Sequence, residues 1–196
     1  KQVELDSIAL YTKELFNAAD PAQPSTWPVP IKTAHFEYDY VLCKQTPNSD
    51  GADGGKLTLR RVYFTYGKSR RGETSPYVFH YGNESDAVDN PDYDANSQDR
   101  WGGLRPNPGS SLATALGGQW DIPVKDFPYS VQDRTIADRL SRAWKLTDIR
   151  LPSGGLLKVA YESDDYAFVQ NARPTSMVRL SGASGGQDIP AGPAPL

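Results

Sequence analysis

The sequence predicts a mainly β protein, an antiparallel sheet built as a meander of hairpins, with one short α-helix and long irregular loops. Residues 146–169 place two apolar stretches on either side of Pro152-Ser153-Gly154-Gly155, which is the pattern of a β-hairpin. Residues 31–42 alternate apolar and polar side chains, as a half-buried strand does. The 196 residues include 11 tyrosines and 1 methionine, a composition that suits β surfaces better than a helical bundle.

Three stretches in the first half of the chain predict neighbouring strands. In residues 31–42 the even-numbered side chains are expected in the core and the odd-numbered ones in water. Residues 57–66 are apolar first at odd and then at even positions, and this switch at Arg60-Arg61 predicts a β-bulge, because one extra residue restores the facing. Residues 77–81 form the third strand. The side chains expected to share one core are Phe36, Tyr38, Tyr40, Phe64, Phe79, Val159 and Tyr161.

The N-terminal segment allows two interpretations. Apolar residues in 3–16 fit one face of a helix with Asp6 as its N-cap, or a strand with a register break. We favour a strand over residues 3–11, since the segments that follow are β. Residues 20–30 contain four prolines and predict a loop.

The short α-helix is predicted over residues 130–145. Ser130 and Asp133 resemble a capping box, and the apolar side chains that follow lie on one helical face. A helical turn is also expected at residues 110–116. Residues 181–196 are rich in Gly, Pro, Ser and Ala, so we expect a flexible tail or linker after a β-rich domain or segment of residues 1–180.

Composition excludes several classes of function. The net charge of −3 comes from 21 basic and 24 acidic residues of mixed distribution, which does not favour nucleic acid or an anionic membrane as a partner. No apolar run approaches the ~18 residues of a membrane-spanning helix. Cys43 is the single cysteine, so there is no internal disulfide. The chain opens inside a patterned segment without an initiator methionine, which is expected of a piece of a longer protein.

Five phrases carry a family resemblance: IKTAHFEYDYVLCK, GGKLTLRRVYFTYGKSRRG, SPYVFHYG, NPDYDANSQDRWG and LTDIRLPSGGLLKVAYESDDYAFVQ. Over residues 30–180 they resemble, in order, a segment of very long exported bacterial proteins allied to the RHS/YD-repeat group. The resemblance implies long hairpins joined edge to edge into a large sheet or shell, an exported location at the cell surface or outside the cell, and flanking segments of the parent chain as partners. It supplies no catalytic residues. The chain departs from a repeat array, since no self-repeat of fixed period is present.

A polar row on the first long strand is one candidate metal or acid–base site. His35, Glu37 and Asp39 follow one another on the same side of residues 31–42. Side chains two residues apart on a strand are separated by ~6.6 Å, so one ion could reach two of them. No second set of ligands with suitable spacing accompanies them, and we predict a solvated strand face.

The acidic loop of residues 86–99 is a candidate calcium site. Asp92, Asp94 and Asn96 begin a calcium-loop pattern, but the Gly and Glu that an EF-hand requires are replaced by Ser97 and Gly103. We favour Asx turns for these side chains and keep a calcium site of another type as the alternative. No other cofactor is expected.

No catalytic constellation emerges from the sequence, so we predict a protein that is not an enzyme. Glu162-Ser163-Asp164-Asp165 offers paired carboxylates, but neighbours on a strand point to opposite faces. Ser153 lacks the G-x-S-x-G elbow, and Cys43 has no sequence partner and is expected to be inert.

Three tryptophans remain as candidate ligand-binding residues. Trp27, Trp101 and Trp120 lie in predicted loops, and exposed aromatic rings can stack on sugars or form protein interfaces. Packing of the loops onto the sheet is the simpler interpretation.

The first functional hypothesis is therefore a non-enzymatic structural or interaction segment of a large exported surface protein, which contacts its parent chain, a surface protein or a glycan. The alternative is a carbohydrate-binding module that calcium could stabilise, and an enzyme using His35 and Glu37 or the acids of residues 162–165 is the least supported.

Overall fold

A computed structural model describes residues 3–20, 22–23, 27–49, 54–98, 102–107, 110–116, 133–164, 168 and 171–173. The chain separates into two compact units, Lys1–Ser163 and Asp164–Leu196. All helices and strands given below belong to the first unit. Of the second unit, the structure describes Asp164, Phe168 and residues 171–173, and the predicted tail of residues 181–196 lies outside the described residues.

The predicted antiparallel sheet is confirmed, and in the described residues it is a meander of six strands whose spatial order follows the chain. Every pair of neighbouring strands is antiparallel. The strands are β1 (Ser7–Leu10), β2 (Lys32–Asp39), β3 (Thr58–Tyr66), β4 (Tyr77–His80), β5 (Asp148–Arg150) and β6 (Leu156–Lys158). The helices are α1 (Lys13–Ala18), α2 (Ser111–Leu116) and α3 (Arg134–Ser141), and a short 3₁₀ helix spans Arg71–Thr74.

The β-bulge predicted in β3 is confirmed. Glu37 of β2 lies opposite Arg61, whereas the next residue, Tyr38, lies opposite Leu59. Arg60 is therefore the extra residue of β3, and it shifts the register as the change of parity in the sequence predicts.

The β5–β6 hairpin also forms as predicted. The Leu151 amide donates to the Gly155 carbonyl at 2.8 Å and closes the turn. Gly154 has a φ of +86°, a conformation that a residue with a Cβ adopts at a cost.

The strand predicted over residues 31–42 is too long at both ends, because β2 covers Lys32–Asp39 only. Beyond Tyr40 the chain leaves the sheet, and Cys43 and Gln45 have positive φ values of 54° and 62°. Such left-handed residues are incompatible with an extended strand. Neither Cys43 nor Gln45 is a glycine, so the sequence does not mark this turn.

The N-terminal segment contains both a strand and a helix, so the strand predicted over residues 3–11 is only partly correct. β1 covers Ser7–Leu10, and α1 begins two residues later at Lys13. The N-cap is Thr12, whose hydroxyl accepts from the Leu15 amide at 3.3 Å, rather than Asp6.

The two later helices match their predictions in place but not in length. The α2 helix falls within the turn expected at residues 110–116, and the Ser110 hydroxyl accepts from the Ala113 amide at 3.1 Å. The α3 helix is shorter than residues 130–145, and its N-cap is Asp133, which accepts from the amides of Thr135 and Ile136. Ser130 lies outside the described residues. Trp144, expected on the helix, lies beyond it with a φ of 57°.

The predicted single core of sheet aromatics is wrong. The hydrophobic residues that are fully buried are instead Leu42, Cys43, Val88, Leu112, Ala113, Leu140 and Ala143. Val88, Leu112 and Leu140 pack together, surrounded by Leu104, Leu116 and Ile136 from the loops and from α2 and α3. The predicted residues Phe36, Tyr38, Tyr40, Phe64, Phe79 and Tyr161 are half-buried, and Val159 is exposed.

The cause is that the described elements place no second layer on the apolar face of the sheet. Among the described residues, no helix makes extensive contact with a strand except the 3₁₀ helix beside β3. The alternation of residues in β2 separates two faces correctly, but no described helix or strand packs across the apolar face. On the opposite face, Thr33, Thr58 and Thr65 are buried. No described helix is long and apolar enough to cross a membrane.

Candidate functional site

The sheet has one apolar and one polar face, which follow from the register because directly paired residues share a face. In the first strands of the sheet, Ile8 pairs with Ala34 and Ala34 pairs with Phe64. In the last strands, and on the same face, Phe79 pairs with Ile149 and Ile149 pairs with Leu157. The apolar face comprises Ile8, Leu10, Ala34, Phe36, Val62, Phe64, Tyr77, Phe79, Ile149 and Leu157. It also carries Lys32, which pairs with Leu10 and Tyr66 and whose ammonium lies over the Phe64 ring. None of these side chains is fully buried.

The polar row predicted on β2 does form on the opposite face, but His35 is occupied within the sheet. His35 Nε2 lies 2.9 Å from the Thr65 hydroxyl, and its ring stacks on Tyr63 with centroids 4.7 Å apart. Both neighbours belong to β3, so the imidazole joins two strands.

Glu37 and Asp39 are likewise occupied by arginines of β3. Arg61 binds Glu37 at 2.6 Å, and the bulge residue Arg60 binds Asp39 at 2.7 Å and also Glu84. Burial alone would lower the pKa of Arg60, but its hydrogen bonds with both carboxylates raise it. The row is therefore a set of cross-strand pairs and does not converge on one ion.

In the acidic loop, Asp94 makes the Asx turn that the sequence favours. Its Oδ1 accepts from the Asn96 amide at 2.8 Å, and its Oδ2 accepts from the Ser111 amide at 2.9 Å at the start of α2. Burial opposes ionisation, but these hydrogen bonds lower the pKa of Asp94. Asp92 is exposed on a cavity wall, and Asp99 lies outside the described residues. The described residues contain no group of three or more His, Cys, Asp or Glu side chains that could hold a metal ion.

An ion-pair network between this loop and α3 is the feature that sequence reasoning missed. Arg139 binds Asp86 at 2.8 Å and Asp89 at 2.6 Å, and Arg142 binds Asp89 at 2.8 Å. Asp89 is 8% exposed, and both arginines compensate its buried charge. In the sequence, the network is indicated by matching spacing, because Asp86 and Asp89 are as far apart in the chain as Arg139 and Arg142.

A cavity of about 510 Å³ lies between residues 41–44 and the acidic loop. Two of its polar side chains, those of Asn90 and Glu84, have partners within the protein. Asn90 donates to the Tyr81 carbonyl at 2.6 Å and accepts from the Trp144 amide at 2.9 Å, and Glu84 binds Arg60. These two side chains are therefore held by the protein itself, whereas the charged residues Lys44 and Asp92 also line the cavity.

Cys43 lines the same cavity but is buried. Burial raises the pKa of its thiol, although the Thr46 hydroxyl and the Lys56 ammonium oppose the shift. A neutral, buried thiol is a poor nucleophile, in agreement with the inert role expected from the sequence.

The acids of residues 162–165 do not form a described carboxylate pair. Glu162 and Asp164 are exposed, and Asp165 lies outside the described residues. Between them, Ser163 donates from its amide at 2.9 Å and from its hydroxyl at 2.8 Å to Asp138 of α3. These hydrogen bonds lower the pKa of Asp138 and attach the chain after β6 to the helix.

Trp27 belongs to a small aromatic cluster with Tyr11 and Phe16. The ring centroids are 6.1 to 6.4 Å apart, and the Trp27 indole donates to the Asp20 carbonyl at 3.1 Å. The rings are tilted or perpendicular to one another, so the three do not form one flat surface, and Trp27 itself is 43% exposed. Trp101 and Trp120 lie outside the described residues.

The two outer strands carry exposed apolar side chains. Ile8 and Leu10 of β1 are 56% and 57% exposed, and Leu157 of β6 is 52% exposed. Each strand has one neighbour among the described strands, so its other edge carries backbone donors and acceptors that no described strand pairs with. These edges and the apolar face that joins them are the candidate functional surface.

Comparisons of the chain with protein-family models, curated proteins and solved structures give no match.

Proposed function

We propose that this chain is a non-enzymatic structural or interaction segment of a larger β protein. In the assembled protein, neighbouring segments of the parent chain or a surface partner cover the apolar face of its sheet. The observation that carries the proposal is the described sheet, whose apolar face extends from β1 to β6 without a fully buried side chain.

Physical chemistry favours a covered sheet over an open one. A sheet with one apolar face is stable when that face packs against another layer. Ile8, Leu10 and Leu157 are each about half exposed. Completing their burial is worth roughly 1 kcal/mol each, so a partner layer that covers the whole face gains several kcal/mol.

The resemblance to the RHS/YD-repeat group extends the proposal to a large exported surface protein. Hairpins joined edge to edge are what that resemblance implies, and an antiparallel meander in chain order is compatible with it. The location at the cell surface or outside the cell rests on the resemblance alone.

Dye binding to the purified, folded chain tests the proposal. At low protein concentration we expect the dye ANS to bind, because the apolar face is accessible to solvent. Ile8→Lys should reduce this binding. Ser7→Lys, which places the same charge on the polar face of the same strand, should leave it unchanged. A folded chain that binds no dye would overturn the proposal, since its apolar face would then already be covered.

A further inference from the structure

The two open edges of the sheet run in opposite directions. Each of the neighbouring pairs from β1 to β6 is antiparallel, and the number of described strands is even. When β6 of one copy lies beside β1 of a second copy in the same orientation, the two strands are therefore antiparallel. The alternation of strand directions continues across the junction without interruption.

The backbone groups at both edges match this arrangement. The Phe36 amide donates to the Asp6 carbonyl at 2.9 Å, so even-numbered residues of β1 face β2 and odd-numbered ones such as Ala9 face outward. The Val159 amide donates to the Thr147 carbonyl at 2.8 Å, so odd-numbered residues of β6 face β5. Lys158 and its even-numbered neighbours then face outward.

The side chains of β1 and β6 are also compatible with this antiparallel pairing. Ala9 and Lys158, whose backbone groups point outward, carry their side chains on the polar face of the sheet. An antiparallel register that places these two residues opposite each other therefore keeps the apolar faces of both copies on the same side. With Ala9 opposite Lys158, Leu10 lies opposite Leu157 and Ile8 lies opposite Val159. These four aliphatic side chains are 57%, 52%, 56% and 39% exposed, and the register brings them into contact across the junction.

We propose that β6 of one copy pairs with β1 of another copy of this chain, in the register with Ala9 opposite Lys158. The contact is head to tail, so it extends one continuous sheet with a common apolar face instead of closing a dimer. This inference rests on the proposed function, since it names a second copy as one occupant of the open edges. Lys158 is the single charged residue within β1 and β6, so electrostatic protection of these edges against pairing is weak.

A mixing experiment tests the proposal with two variants that each block one edge. The first is the double variant Ile8→Lys and Leu10→Lys, and the second is Leu157→Lys and Val159→Lys. By analytical ultracentrifugation, the unmodified chain should increase in mass with concentration. Each variant alone should remain monomeric, since every contact needs both kinds of edge, and an equimolar mixture should form a 1:1 dimer and no larger species.

The control carries the same added charge at exposed positions away from the sheet edges, Ala87→Lys and Ala115→Lys, and should associate like the unmodified chain. Should the lysine pairs prevent folding, Ala9→Pro blocks β1 by removing an outward amide that makes no bond within the sheet. A single-edge variant that still dimerises alone would overturn the proposal, because the contact would then join like edges or apolar faces. An unmodified chain that stays monomeric yet binds ANS would also overturn it and would leave the proposed function standing, with another chain segment as the occupant.

Discussion

Arg60 forms an ion pair with Asp39, 2.7 Å long, at the point where β3 carries its extra residue. The bulge leaves Arg60 without an opposite residue in β2, and its side chain reaches both Asp39 and Glu84. With 15% of its side chain exposed, Arg60 is held more firmly than a surface arginine. The bulge thus connects β2, β3 and the loop after β4.

Replacing Arg60 should destabilise the sheet. Arg60→Ala removes contacts to two carboxylates, one of them a half-buried partner, and we expect a loss of about 1–2 kcal/mol in the free energy of unfolding. The matched control is Arg70→Ala, whose side chain is 79% exposed and pairs with Glu73. Such an exposed pair contributes little to stability, because solvent screens both charges. Urea unfolding of both variants makes the comparison, and equal losses would show that the bulge contact adds nothing.

The network around Asp89 should be non-additive. Arg139→Ala alone leaves Arg142 to compensate Asp89, and we expect a loss of about 1 kcal/mol. Removing both arginines leaves a carboxylate that is 8% exposed without either charge partner, and the loss should rise to about 3 kcal/mol or more. Arg134→Ala, at a side chain that is 68% exposed on the same helix, is the control. Strictly additive losses for Arg139 and Arg142 would contradict this account.

Acid should weaken the packing of the acidic loop against α2. The folded pKa of Asp94 is lowered by its bonds to Ser111 and Asn96, below an unfolded value of about 3.9. Its contribution to stability is therefore present above that value and is lost as the pH falls through the folded pKa. In urea titrations from neutral pH to about pH 3, Asp94→Asn should show a shallower loss of stability than the unmodified chain.

Truncations should show that the tightly packed core lies outside the sheet. Leu112→Ala removes a side chain that is 1% exposed, and we expect a loss of about 3–4 kcal/mol. Phe64→Ala removes a half-buried ring that contacts Tyr77 and Lys32 and should cost about 1–2 kcal/mol. A larger loss for Phe64 than for Leu112 would mean that the sheet face is covered in solution.

The contrast between these two positions shows how far the sequence predicts this fold. Alternation around Phe64 and the parity switch at Arg60 depend on local geometry, so strands and bulge follow from them. Whether a second layer covers the face depends on distant segments, and alternation carries no information about it. The buried position of Leu112 depends in the same way on Val88 and Leu140, which lie far from it in the chain.

The same distinction between local and distant partners applies to the candidate sites. The Asx turn at Asp94 is local and was predictable, because its partner Asn96 is two residues away. The partners of His35 and Asp39 lie on β3, and their identity required the register of the bulged strand pair. The turn after β2 was missed because Cys43 and Gln45 adopt positive φ values that their residue types do not signal.

Amide exchange should alternate along both outer strands of the dilute chain. Ile8 and Leu157 direct their amides toward neighbouring strands, whereas Ala9 and Lys158 direct theirs outward. The outward amides should exchange faster than the inward ones by on the order of 10-fold or more, as residue-resolved NMR can measure. At higher concentration, pairing of β6 with β1 of another copy should slow the outward amides while the inward ones change little. Uniform protection along β1 and β6 at every concentration would show that both edges are already paired within one chain.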